Sequence, residues 1–227
     1  FELSRQAIER WGWYNRNAAI NPYLSEGKKT VGLEIMEQLA WQVPDYIAIS
    51  VGDGCTIAGL WKGLKDLYAL GFIDRLPRLI SAQAAGCCPI NRAIETNQAW
   101  MPMEENTLAD SIAVGVPRNA SKALMAIRES NGLTVAVTDE EIMAAQKLLG
   151  RTCGVFGEPA GVTGAAGLKK LCEQGRIPAD ATVVSVVTGN GLKDVANAIN
   201  ACGEPLSIPS DMELLLKAFA EKGIVVE

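Results

Sequence analysis

The sequence predicts an α/β fold: a three-layer αβα architecture whose mainly parallel sheet is covered by helices on both faces. Three observations carry that prediction. Short β-branched runs alternate with amphipathic stretches along almost all of the 227 residues, the pattern of parallel strands joined by crossover helices. The valine-rich run that opens Ala181–Asp194 reads as a strand buried on both faces of a sheet. Two strand candidates run directly into glycine turns and then into helices, at Gly52–Thr56 and at Gly189–Gly191.

In chain order, Phe1–Trp13 carries apolar residues at helical spacing, and Asn17–Lys29, with Pro22 and Gly27, reads as a loop. Thr30–Trp41 is an amphipathic helix with Val31, Ile35 and Leu39 on one stripe. Tyr46–Val51 is a strand, and Ile57–Leu70 the helix after the glycine loop. Arg78–Ala82 reads as a strand, Asn91–Gln98 as a short helix, and Ala120–Ser130 as a helix that Asn119 is placed to cap. Leu133–Val137 is a strand. Thr138 and Glu141 form a capping-box signature for a helix running to about Leu149. Gly154–Phe156 is short and apolar. Gly164–Gln174 is a helix ending at Gly175. Helices near Leu192–Asn200 and over Asp211–Lys222 follow the valine run, and Ile224–Val226 suits a terminal edge strand. No repeat or linker interrupts the chain, so residues 1–227 are expected to form a single α/β domain with an irregular lead-in before Gly27.

Composition removes several function classes. There is no histidine, which excludes Ser-His-Asp and Cys-His catalysis and the commonest metal ligand. The six cysteines form no C-x-x-C pair, so no zinc site is expected, and they read as reduced core thiols of a cytoplasmic protein. A net charge of −5 without a basic cluster argues against nucleic acid as a partner. No apolar run reaches the roughly 18 residues of a membrane span. The chain opens on Phe1 and lacks a signal-peptide pattern, so Phe1 is expected to be a processing site or the edge of a fragment.

Two features carry chemistry. Ser50–Gly59, S-V-G-D-G-C-T-I-A-G, leads a strand through a glycine turn into a helix. Glycines allow a sharp turn that aims successive N–H groups at one point, and the helix N-terminus adds partial positive charge. This makes a phosphate cradle without any cationic side chain. The spacing matches neither the Walker A nor the dinucleotide pattern, and on its own the loop reads equally as a tight βα turn. Thr188 stands at the carboxyl end of its strand, where open α/β sheets hold ligands. On spacing alone it reads equally as an ordinary strand-end threonine. Taken together, a cradle and a hydroxyl at two strand ends suit a phosphorylated heterocycle, and pyridoxal phosphate has that layout.

Five motifs extend the pattern: Asn21-Pro22 with Glu26-Gly27-Lys28-Lys29-Thr30, Gly52-Asp53-Gly54-Cys55-Thr56, Gln83-Ala84, Gly157-Glu158-Pro159-Ala160, and Thr188-Gly189-Asn190-Gly191-Leu192-Lys193-Asp194. In this order they resemble the carboxyl-terminal part of threonine synthase-like, fold type II pyridoxal-phosphate enzymes of the tryptophan synthase beta superfamily. The resemblance implies that N–H groups of Gly52, Asp53, Gly54, Cys55 and Thr56 bind the cofactor phosphate, and that the Thr188 hydroxyl bonds the pyridine nitrogen. A neutral hydroxyl there makes the ring a milder electron sink than a carboxylate would, favouring elimination and replacement over transamination. Asp53 and Cys55 depart from the Asn, Ala or Gly frequent in that loop, and Asn190 replaces a common histidine. Asp53 is expected to point outward or to accept backbone N–H bonds.

The resemblance also implies a Schiff-base lysine in a Ser-Phe-Lys-Asp-like context upstream. No such context occurs here. Lys193 and Lys65 do not hold its position and read as surface or structural residues. The chain is therefore expected to be the second half of an enzyme, inactive alone, with the lysine-bearing region and small domain on a missing amino-terminal half or a partner chain. The implied parent converts O-phospho-L-homoserine and water to L-threonine and phosphate, as a homodimer acting on a small amino-acid substrate. Two alternatives stay open: another fold type II lyase or synthase, such as a dehydratase or cysteate synthase-like enzyme, and a lysine-less binding or regulatory subunit. Arg118 and the Glu104-Glu105 pair read as substrate contacts or, more simply, as a helix lead-in and a solvated loop.

Overall fold

The computed structural model describes residues 2–17, 20–203 and 206–224. Helices α1 (Glu2–Trp11), α2 (Pro22–Gly27) and α3 (Thr30–Gln38) lead to strand β1 (Tyr46–Ser50). Then come α4 (Cys55–Ala69), β2 (Arg78–Ala84), α5 (Pro89–Thr96), α6 (Ala120–Glu129) and β3 (Leu133–Val137). The chain continues through α7 (Asp139–Cys153), α8 (Pro159–Glu173), β4 (Val183–Ser185), α9 (Val195–Cys202) and α10 (Met212–Glu221). The four strands form one sheet in the order β3-β2-β1-β4, and every neighbouring pair is parallel.

Strand alternation splits the core into two layers. Ile47, Ile49 and Leu79 face Met36, Ile57, Leu60, Leu64, Ile90 and Ile127 from α3, α4, α5 and α6. Ala48, Ile80, Ala82 and Val135 face Ile142, Val162, Ala166 and Leu171 from α7 and α8. The expected three layers are present. Helix α8 lies close on the sheet because its inner residues are small: a Cβ on Gly164 would stand 3.2 Å from the Ile49 backbone. Ser50, buried at the end of β1, takes the Gly164 N–H on its Oγ at 2.9 Å.

Several expectations need correction. The valine-rich run is not buried on both faces. β4 has only three residues, all part-buried, and it is an edge strand paired to β1 alone. A β-branched run suits an edge as well as a centre, and periodicity cannot tell which neighbours a strand lacks. Asn17–Lys29 is not all loop: Pro22 opens α2, and Asn21 caps it by accepting the Tyr23 N–H at 3.0 Å. Helix α8 starts at Pro159, five residues before the expected Gly164. Asn119 precedes α6 but makes no side-chain cap. The cysteines divide evenly, with Cys55, Cys87 and Cys88 buried and Cys153, Cys172 and Cys202 exposed. In the proposed terminal strand, Ile224 belongs to no element and the two valines lie outside the described residues.

A buried amide network fixes the sheet where β1 ends. Asn91 Nδ2 donates to the carbonyls of Ser81, at 3.0 Å, and Val135, at 2.9 Å, while its Oδ1 accepts the Ser81 hydroxyl at 2.7 Å. Gln83 Oε1 takes the Asn91 N–H at 2.8 Å, and its Nε2 donates to the Val51 carbonyl at 3.2 Å. Ser81, Gln83 and Asn91 are fully buried. Removing a buried partner from such a set leaves the others unsatisfied. Asn91→Ala is therefore expected to cost about 3 kcal/mol, read as a lowered midpoint in urea unfolding.

At the opposite edge, Asp45 Oδ2 accepts both the N–H and the hydroxyl of Thr182 at 2.9 Å, joining the starts of β1 and β4. These bonds, with Arg75 nearby, lower the Asp45 pKa below its ordinary 3.8. A carboxylate depressed by folding contributes its stability above the unfolded value and loses it as pH falls through the folded one. Asp45→Asn is expected to flatten the pH dependence of the unfolding midpoint below about pH 4, which a urea titration at several acid pH values measures directly.

Candidate functional site

The chain steps from β1 to β2 to β3 on one side, then returns to place β4 on the other side of β1. Connections diverge between β1 and β4, and a crevice opens at the carboxyl ends of two such strands, where open parallel sheets take ligands. A cleft of about 210 Å³ lies there, lined by Gly52, Asp53, Gly54, Cys55, Thr56 and Thr188 together with Lys28, Ser50, Ser111, Ile112 and Ala160. All six residues singled out in the sequence thus meet in one cleft. A larger depression, about 320 Å³, sits at the amino end of β1. Its arginines are already committed: Arg75 to the Val43 carbonyl, and Arg78 to the Asn131 carbonyl and the Tyr46 hydroxyl.

Backbone geometry makes the loop concave. Gly54, at φ 86°, is left-handed and sits at the N-cap of α4, a conformation that glycine adopts without strain. A Cβ there would meet Ala123 Cβ at 2.7 Å. Among the described residues, no acceptor engages the N–H groups of Gly52, Gly54 or Thr56, and the Ala58 N–H bonds back to the Gly54 carbonyl at 3.2 Å. These are the orphan donors of a helix start. Asp53 does not oppose an anion there. Its Oδ1 accepts the Arg118 N–H at 3.0 Å, and its Oδ2 lies 3.4 Å from the Arg118 guanidinium.

Thr188 does not end a strand as expected: β4 stops at Ser185, and the segment beyond it that carries Thr188 is held by the Gly157–Ala160 turn. Glu158 N–H donates to the Gly189 carbonyl at 2.9 Å, and Gly191 N–H to Phe156 at 2.8 Å. The buried Glu158 carboxylate tucks so close under Gly189 that any Cβ there would overlap it, at 2.1 Å from Oε1. Asn190 accepts the Leu192 N–H at 2.9 Å and so caps the following 3-10 turn. The Thr188 hydroxyl is exposed to the cleft and has no hydrogen-bond partner among the described residues.

The remaining candidates fall outside the loop and the hydroxyl. Lys193 Nζ lies 3.2 Å from Glu158 Oε1 and 3.4 Å from Ser111 Oγ, in an adjoining cleft of about 450 Å³. Lys65 pairs with Glu129 at 2.8 Å. Glu105 accepts the Gly115 N–H at 2.9 Å and braces its own loop. Sequence reasoning missed Lys28, Ser111, Ile112 and Ala160 in the cleft wall. Lys28 and Ala160 lay within motifs already noted; nothing local marked Ser111 or Ile112.

The model of the pyridoxal-phosphate dependent enzyme family matches residues 1–189. The chain is 46% identical over 205 residues to a threonine synthase of Methanocaldococcus jannaschii, covering 89% of this chain and 51% of that protein. It is 36% identical over 210 residues to a threonine synthase of Mycobacterium tuberculosis, covering 92% and 56%. The chain thus spans about half the length of these relatives. Among solved structures, the processed form of threonine deaminase isoform 2 from Solanum lycopersicum superposes with a TM-score of 0.70 at 20% identity, covering 87% of this chain and 54% of that one. Serine racemase from Dictyostelium discoideum gives 0.65 at 24% identity, covering 84% and 57%. These two share the fold. With a family match over most of its length and its motifs gathered at the sheet's switch point, the chain belongs to the pyridoxal-phosphate dependent enzymes.

Proposed function

We propose that this chain is the cofactor-binding, carboxyl-terminal half of a threonine synthase-like lyase, which converts O-phospho-L-homoserine and water to L-threonine and phosphate. One observation carries the proposal: the glycine loop and Thr188 line a single cleft at the switch point, in a chain 36–46% identical to threonine synthases. The residues fit a pyridoxal phosphate. The loop leaves N–H groups unengaged where a Cβ at Gly52 or Gly54 would collide with Ile112 or Ala123, and an unpartnered hydroxyl faces the same space.

When bound, the cofactor supplies an electron sink for bonds at the substrate's amino-acid carbons. The chain's own groups bind and orient it. The N–H groups from Gly52 to Thr56, at the positive end of α4, hold the phosphate. Thr188 Oγ1 bonds the ring nitrogen without placing a negative charge there. Ile112 and Ala160 supply apolar wall. We place the covalent lysine anchor and the small domain in the region that the longer relatives possess beyond this match, on the same polypeptide or on a partner chain.

The decisive assay gives O-phospho-L-homoserine to the full-length polypeptide that includes this chain. Phosphate and threonine are expected in equal amounts. Ammonia and a keto acid from serine or threonine, with no phosphate released from phosphohomoserine, would instead assign a dehydratase. Within the same polypeptide, Gly54→Ala is expected to lower stability by about 1–3 kcal/mol from backbone strain and to reduce retention of the cofactor on gel filtration, read from its absorbance.

A further inference from the structure

We infer that Lys28 supplies a cationic side chain to the phosphate cradle, a contact absent from the sequence reading of a purely backbone site. Its placement comes from tertiary packing. Lys28 ends α2 and presses against the first turns of α4, where a Cβ on Gly59 would lie 2.6 Å from Lys28 Cβ. The side chain, part-buried, reaches the wall of the cleft that holds Gly52–Thr56.

Charge accounting around α4 singles this lysine out. Lys29 pairs with Glu26 at 2.8 Å and Asp66 at 3.3 Å. Lys62 pairs with the same two carboxylates, at 2.9 and 3.3 Å. Lys28 pairs with no carboxylate among the described residues. Asp53, the acid in the same cleft, is engaged by the Arg118 N–H and guanidinium. Lys28 thus lines the cleft at the positive end of α4 with no carboxylate among the described residues to balance its charge, an arrangement that a bound anion relieves. A phosphate dianion on the N–H groups of the loop accepts from an ammonium in a charge-assisted bond. Lys28 therefore discriminates for the phosphorylated form of the cofactor rather than for its ring.

This rests on the proposed cofactor cleft, and the experiment separates the two. The cofactor-free form of the full-length polypeptide that includes this chain is titrated with 4′-deoxypyridoxine 5′-phosphate, which has no aldehyde to react with lysines, and with unphosphorylated 4′-deoxypyridoxine, by ligand fluorescence and 31P NMR. For Lys28→Gln the phosphorylated ligand is expected to bind about tenfold more weakly, the low end for a hydrogen bond between charged groups. Its affinity should depend less steeply on salt, and Lys28→Arg should recover most of the loss. Affinity for the unphosphorylated ligand and the thermal midpoint should not change. Equal phosphate-ligand affinity in wild type and Lys28→Gln overturns the role of Lys28 and leaves the cleft standing, and equal losses for both ligands make Lys28 structural. A wild-type full-length polypeptide that binds neither ligand overturns the cleft itself.

Discussion

The buried hydrogen bond from Gln83 to the Val51 carbonyl sets the rest of the site in place. Val51 is the last residue before the glycine loop, and its carbonyl points into a core where water cannot satisfy it. Gln83 can reach it only because Asn91 holds the other end of the amide, and Asn91 in turn is tied to Ser81 and to Val135 of the neighbouring strand. Three strands are thereby registered by side chains as well as by the ladder. The loop leaves β1 in one direction, and its N–H groups start from a fixed point.

A second interlock does the same for β4, which as an edge strand has pairing on one side only. After Ser185 one further bond, from Val186 to Ala48 at 3.0 Å, holds the chain to the sheet. Beyond it, the Thr188–Gly191 turn is caught by the turn that starts α8. Gln146 braces that second turn by donating to the Gly157 carbonyl at 2.7 Å. The Gly157–Ala160 and Thr188–Gly191 motifs, far apart in the chain, are thus one structural unit.

Much of this was legible in the sequence because it rests on local chemistry. The Thr138–Glu141 capping box forms with both reciprocal bonds, and the strand candidates at Tyr46, Arg78, Leu133 and in the valine run each contribute a strand. The glycine loop and Thr188 were found because each sits where a strand run ends. The failures are tertiary. Nothing in a run of valines records that one neighbour is missing, so β4 was read as central. Asn21-Pro22 did carry a helix-start signal, a cap followed by proline at the first helical position, and the surrounding polar residues obscured it. Lys28 reaches the cleft through the contact of α2 with α4, across some thirty residues of chain, and no periodicity reports such a contact.

The two ends of the cleft differ in charge, and the difference follows from where the acids are paired. At the loop end, Arg118 takes the charge of Asp53, and the field is set by α4 and Lys28. At the hydroxyl end, the buried Glu158 lies beneath Gly189, next in the chain to Thr188. An uncompensated carboxylate there would favour a protonated ring, the strong electron sink that a neutral threonine is proposed to avoid. Lys193 stands 3.2 Å from Glu158 and offsets it. Under the proposed function, the mild character of the site thus rests on two features: a neutral hydroxyl at the ring position, and an ion pair that offsets the buried Glu158 carboxylate. Under that function, a neutral hydroxyl at Thr188 beside a Glu158 paired with Lys193 favours elimination-type chemistry over transamination.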